Sequence, residues 1–168
     1  MPKKIQMPIE LGDKQIKALT EKANELTIEP ADTYLLTYRH LKSDISEMEF
    51  EDEKDLYLAA LMVYGWMPTI PDFHTKDGKV TEALAVLRKL KKETEPYIPS
   101  EAEIDSISGF LNKSVVGTSK LLHFLNHTVY PIWDSRIQSF ISGTTNPSGM
   151  QSAAKYKAYC ELILRLKD

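Results

Sequence analysis

The chain has 168 residues, 42% apolar and 27% charged, with a net charge of −3. That is enough for one domain with a real core, or two small lobes sharing an interface, and the negative balance argues against broad, charge-driven nucleic-acid binding while allowing a local basic patch. The single cysteine, Cys160, excludes an internal disulfide and a cysteine-held iron–sulfur cluster, and the longest apolar run, 58–63, is too short to span a membrane.

The N-terminus, MPKKIQMPIELGDK, carries lysines with no apolar segment behind them, so no signal peptide is expected and the default location is cytoplasmic. Leu11, Ile16, Leu19, Ala23 and Leu26 then repeat at helical spacing and predict a helix over about 12–26. Pro30 interrupts. A second helix is predicted over about 31–42, with Tyr34, Leu35, Tyr38 and Leu41 on one side. An acidic stretch, 44–55, leads into a third helix through Leu56, Ala60, Leu61 and Tyr64, with Gly65 as its C-terminal residue. Residues 66–78, with Pro68 and Pro71, read as a long loop.

A fourth helix, about 80–94, turns Val80, Leu84 and Leu87 inward and Arg88, Lys89, Lys91 and Lys92 outward. Ser100 and Glu103 fit a capping box for a fifth helix, about 101–112. A turn around Gly117, a sixth helix from about Thr118 to Asn126, and a seventh over about 134–142 follow. The segment GTTNPSG is a loop, and a last helix covers about 149–167. No segment shows strand-like alternation, and the expected class is all-α, a single helical domain over 1–168 with two lobes and a cleft as one form of it.

The chemistry concentrates in 113–141, KSVVGTSKLLHFLNHTVYPIWDSRIQSFI. A helix, a glycine hairpin through Val115, Val116 and Gly117, and a second helix expose backbone N–H groups beside a helix N-terminus, which favours a bound phosphate. Thr118 and Ser119 add hydroxyls there and Lys120 adds charge; a plain helix connection explains the same turn. Asp134 follows Pro131, Ile132 and Trp133 at the start of a helix. It reads as an N-cap, as a carboxylate that stabilises a developing cation, or as both. Lys120 and His123 lie three apart and share a helix face. The plain alternatives are a solvated lysine and a satisfied core histidine. No metal-ligand spacing is present and no cofactor is implied.

In order, these parts resemble the helix-hairpin-helix DNA glycosylases, which typically read L-P-G-x-G-x-K-T-A, an apolar helix, then V-D-T/S-x-V. This chain has S-V-V-G-T-S-K-L-L at the hairpin and I-W-D-S-R-I at the aspartate. It lacks the Pro and first Gly of that pattern, and its hairpin-to-aspartate distance is shorter by about one helical turn. The resemblance implies that Asp134 is the catalytic aspartate and that Val115, Val116 and Gly117 bind phosphate. It puts Lys120 within one position of the nucleophilic lysine of bifunctional members, and a gapless match puts Ser119 there. Duplex DNA would be the partner. Trp133, Tyr130, Trp66 or His123 would stack on a flipped base, and Arg88, Lys89, Lys91, Lys92, Lys113 and Arg136 would meet phosphates. A non-catalytic nucleic-acid binder and a helical interaction protein are the other two readings.

Overall fold

In the computed structural model, which describes residues 9–27, 32–143 and 149–167, eight helices and no strand are present among the described residues. They are α1 (Asp13–Glu25), α2 (Thr33–Glu47), α3 (Glu53–Trp66), α4 (Lys79–Lys92), α5 (Glu101–Phe110), α6 (Val115–Leu125), α7 (Ser135–Ser142) and α8 (Ala153–Arg165). The all-α expectation stands. Among the described residues no helix is long and apolar enough to cross a membrane.

Local chemistry sets most helix starts. Asp32, Asp52, Ser114, Asp134 and Ser152 each cap the helix that follows by accepting backbone N–H groups. Ser100 and Glu103 form the expected capping box on α5. Several boundaries differ from the pattern reading; α8, for one, starts at Ala153 rather than at about 149. Helix α2 runs through the first acidic residues to Glu47, because Ile45 is fully buried and holds that last turn against the core. Gly65 lies inside α3 rather than ending it. Gly117 lies inside the first turn of α6, so the connection from α5 is at 111–114 and not around the glycine.

That connection is tight. Asn112 and Lys113 both have positive φ, 51° and 59°, an uncommon choice for residues with a Cβ. The Lys113 N–H reaches back to the Ser108 carbonyl at 2.6 Å, and the Asn112 amide donates to Asp72 at 2.7 Å. These bonds offset the left-handed backbone and let Ser114 begin the next helix at once.

The buried side chains form one cluster, with Trp133, Tyr130, Tyr156, Phe50, Phe110 and Phe124 its largest members. Helix α6 is central and packs on α2, α3, α5 and α8, while α4 packs on α5 and α3. The loop after α3 is pinned to α5 by Phe73, whose ring stacks on Phe110 at 4.9 Å. The α6 positions Leu121, Leu122, Phe124 and Leu125 are buried, as their apolar run requires.

Candidate functional site

The site is built on one hydroxyl. Ser119 is fully buried; its Oγ accepts the Trp133 N–H at 3.0 Å, and its single proton is shared between the Val116 carbonyl at 2.8 Å and the Trp133 carbonyl at 3.1 Å. The connector between α6 and α7 is thereby latched to α6 at both polar atoms of one residue. The residue after Ser119 is Lys120, and the residue after Trp133 is Asp134. The latch brings that amine and that carboxylate into one electrostatic neighbourhood. Burial lowers the Lys120 ammonium below its ordinary range, and the Asp134 charge opposes that shift. No hydrogen bond or ion pair holds Lys120 among the described residues, so the half-buried amine stays free.

Asp134 caps α7 through one oxygen. Its Oδ1 accepts both the Arg136 and the Ile137 N–H at 2.9 Å. No bond engages Oδ2 among the described residues. Tyr159 lies near this carboxylate; burial first, then Cys160 and Asp134, push its phenol up to about 12. Arg136 is exposed at the first turn of α7.

The expected anion cradle at the start of α6 is filled from inside the protein. The Val115 N–H donates to the Gln151 side chain at 2.7 Å, Gly117 N–H to Ser114 Oγ at 3.0 Å and Thr118 N–H to the Ser114 carbonyl at 2.9 Å. The Thr118 hydroxyl bonds the same carbonyl at 2.9 Å. Val115, Gly117, Thr118 and Ser119 are all buried; Val116 is half-buried, and its N–H alone has no bond here among the described residues. Gly117 is required by closeness: a Cβ there would stand 2.5 Å from the Tyr64 hydroxyl. The sequence reading had put Val115, Val116 and Gly117 in a turn and begun the helix at Thr118; the earlier start of α6 turns Val115 and Gly117 inward.

His123 is a brace between three elements. Its Nδ1 faces the Tyr130 carbonyl at 2.8 Å and its Nε2 faces the Tyr38 hydroxyl at 2.8 Å. A carbonyl only accepts, so Nδ1 carries the proton and Nε2 accepts from Tyr38. Burial lowers the imidazole below its ordinary value, with the Tyr130 carbonyl opposing and His127, Lys42 and Lys167 adding to the fall. Both nitrogens are engaged within the protein.

Trp133 and Tyr130 are 1% and 2% exposed. The Trp133 indole donates to the Met150 carbonyl at 2.9 Å and the Tyr130 hydroxyl to the Tyr97 carbonyl at 3.1 Å. Neither ring has the open face that base stacking needs. Half-buried Trp66 does lie at an opening: with Tyr34, Met62 and Leu41 it lines a groove of about 370 Å³ between α2 and α3. A second cavity, about 270 Å³, opens beside α7 between Trp133, Gln138, Ile141 and Lys155.

The basic run on α4 is committed locally. Lys89 bonds Glu103 at 2.6 Å and Tyr97 at 2.9 Å, Arg88 pairs with Glu51 at 3.9 Å, and Lys91 donates to the Ser46 carbonyl. Burial pushes the Glu103 carboxyl up, but hydrogen bonds from Lys89, Ser100 and Tyr97 outweigh it and bring it down to about 2. Lys92 is exposed at the end of this helix, which does not pack on α6 as α5 does. The role of Ser119 as a latch was not legible from spacing, since a serine in an apolar helix carries no mark of its long-range partner. Compared with family models, curated proteins and solved structures, the chain matches none of them.

Proposed function

We propose that this protein binds duplex DNA and excises a damaged base as a helix-hairpin-helix type N-glycosylase. The observation that carries the reading is the Ser119 latch, which holds the segment of the half-buried Lys120 amine within electrostatic reach of Asp134, a cap whose Oδ2 has no bond among the described residues. A glycosidic bond breaks through a cationic sugar, and a fixed carboxylate stabilises that cation. The Asp134 Oδ2 does this work. Lys120, with its ammonium destabilised by burial, supplies an amine that attacks the sugar C1′ as the base leaves. The α5–turn–α6 unit serves as the helix-hairpin-helix, and His123 acts as a positioning residue. The exposed cations around the turn and α7, Lys113 and Arg136, meet the phosphates. Base stacking falls to Trp66 rather than to the buried Trp133 and Tyr130.

The test is incubation with a panel of damaged duplexes, scored for base release, with borohydride added to trap any lysine–sugar adduct. Release that is lost in Asp134→Asn, and trapping that is lost in Lys120→Gln, support the assignment. DNA binding with no release on any lesion would instead leave a non-catalytic binder.

A further inference from the structure

We propose that Lys42, His127 and Lys167 form a phosphate seat for one strand of a nucleic acid, at the end of α6 opposite the α5–α6 turn; the strand, though not the seat, rests on the nucleic-acid reading above. The Tyr38–His123 bond, 2.8 Å, fixes α2 against α6 at this level. Lys42 stands one helical turn beyond Tyr38, and His127 stands four residues beyond His123 with ring centroids 6.3 Å apart. Lys167, just past α8, donates to the Thr128 carbonyl and brings a second ammonium to the same place. Two ammonium groups and an imidazole that gains charge on protonation therefore converge from three segments.

Among the described residues neither Lys42 nor Lys167 is in an ion pair. Lys42, Lys167 and His127 act on the His123 ring, and Lys42 and Lys167 act on the His127 ring; no carboxylate acts on either. The nearby acids Glu93 and Glu103 act on the Tyr130 phenol instead. In a chain of net charge −3, such a cluster is repulsive alone and is relieved by an anion. His127 and Lys167 are exposed, so a ligand reaches them, and an imidazole N–H with two ammonium groups suits phosphate oxygens. Lys120 and His123 lie three apart on α6, and His127 stands in the turn just past its Asn126 cap. A strand whose sugar lies at Lys120 and Asp134 passes over this seat.

A phosphate beside His127 favours the imidazolium, so binding takes up a proton and tightens as pH falls. The experiment uses the full chain in two arms. In the first, anisotropy of an end-labelled duplex is followed from about 50 to about 200 mM salt, near pH 5.5 and near pH 7.5. Lys42→Gln and Lys167→Gln should each lower the salt slope by about 0.9. His127→Gln should remove a several-fold gain in affinity at the lower pH. In the second, imidazole resonances of the unmodified protein are titrated with inorganic phosphate, and His127 should titrate at higher pH when phosphate is present. Duplex binding with unchanged slopes, and a His127 titration indifferent to phosphate, overturn the seat while leaving the proposed function. Absent duplex binding with a phosphate-shifted His127 keeps the seat and overturns the nucleic-acid strand. Failure of both arms overturns both.

Discussion

Asp134 spends one oxygen on its helix and keeps the other, so its two roles can be separated by substitution. Asn caps about as well as Asp, so Asp134→Asn should unfold within about 0.5 kcal/mol of the parent. The charge on Oδ2 disappears, and base release should disappear with it. Asp134→Ala, which removes the cap, should cost about 1 kcal/mol. Thermal melts together with excision assays read both, and retained excision in the Asn variant would reduce Asp134 to a cap. Lys120 makes a distinct demand. Burial lowers its ammonium, and only the neutral amine attacks carbon. Adduct trapping should therefore rise with pH around a midpoint below 10.5, the ordinary lysine value; a midpoint at or above that value would remove the lysine from the chemistry.

At the scale of elements, α6 and its connector act as one unit. Ser119→Ala leaves the buried Trp133 N–H and carbonyl without their partner. The cost should be about 1–3 kcal/mol, and a ΔΔG near zero from denaturant melts would mean that another group takes over the latch. Phe124→Ala empties a fully buried ring site that touches Trp66 at 5.3 Å and Tyr38 at 5.3 Å. It should cost about 3–5 kcal/mol. Gly117→Ala forces a methyl to within 2.5 Å of the buried Tyr64 hydroxyl. It should destabilise even though alanine is the better helix former. The caps of α5 and α7 are short-range signals, each readable in its own four residues, whereas the Ser152 cap of α8 was missed and that helix expected from about 149. The turn at 111–114 was not, because two left-handed non-glycine residues run against the preference that pointed to Gly117.

For the whole molecule, acid should be the destabilising direction, in two windows. His123 has its imidazole lowered in the folded state, so the unfolded chain binds the proton more readily. Its contribution is complete above 6.5, the unfolded value, and is lost as pH falls below that value toward the folded one. Glu103 is lowered from 4.5 to about 2, so its contribution holds above 4.5 and is lost on the way down to about 2. Chemical denaturation as a function of pH should show both declines. His123→Gln should flatten the upper one, and Glu103→Gln the lower; a profile unmoved by either change would contradict the brace and the Lys89–Glu103 pair.

The class, the order of the helices and the starts of α1, α4, α5 and α7 followed from the sequence to within a residue, because apolar periodicity and capping side chains act within a few positions. The proximity of the Lys120 and Asp134 segments was visible only as a resemblance. What the tertiary structure decided was which polar groups remain open. Packing of α6 among four helices turned Val115, Gly117, Thr118 and Ser119 inward and gave three of its first N–H groups to internal partners. It also buried Trp133 and Tyr130, bound both nitrogens of His123, and gathered Lys42, His127 and Lys167 from three separate elements. Each of these outcomes depends on partners tens of residues away, and a side chain's local neighbours carry no record of them.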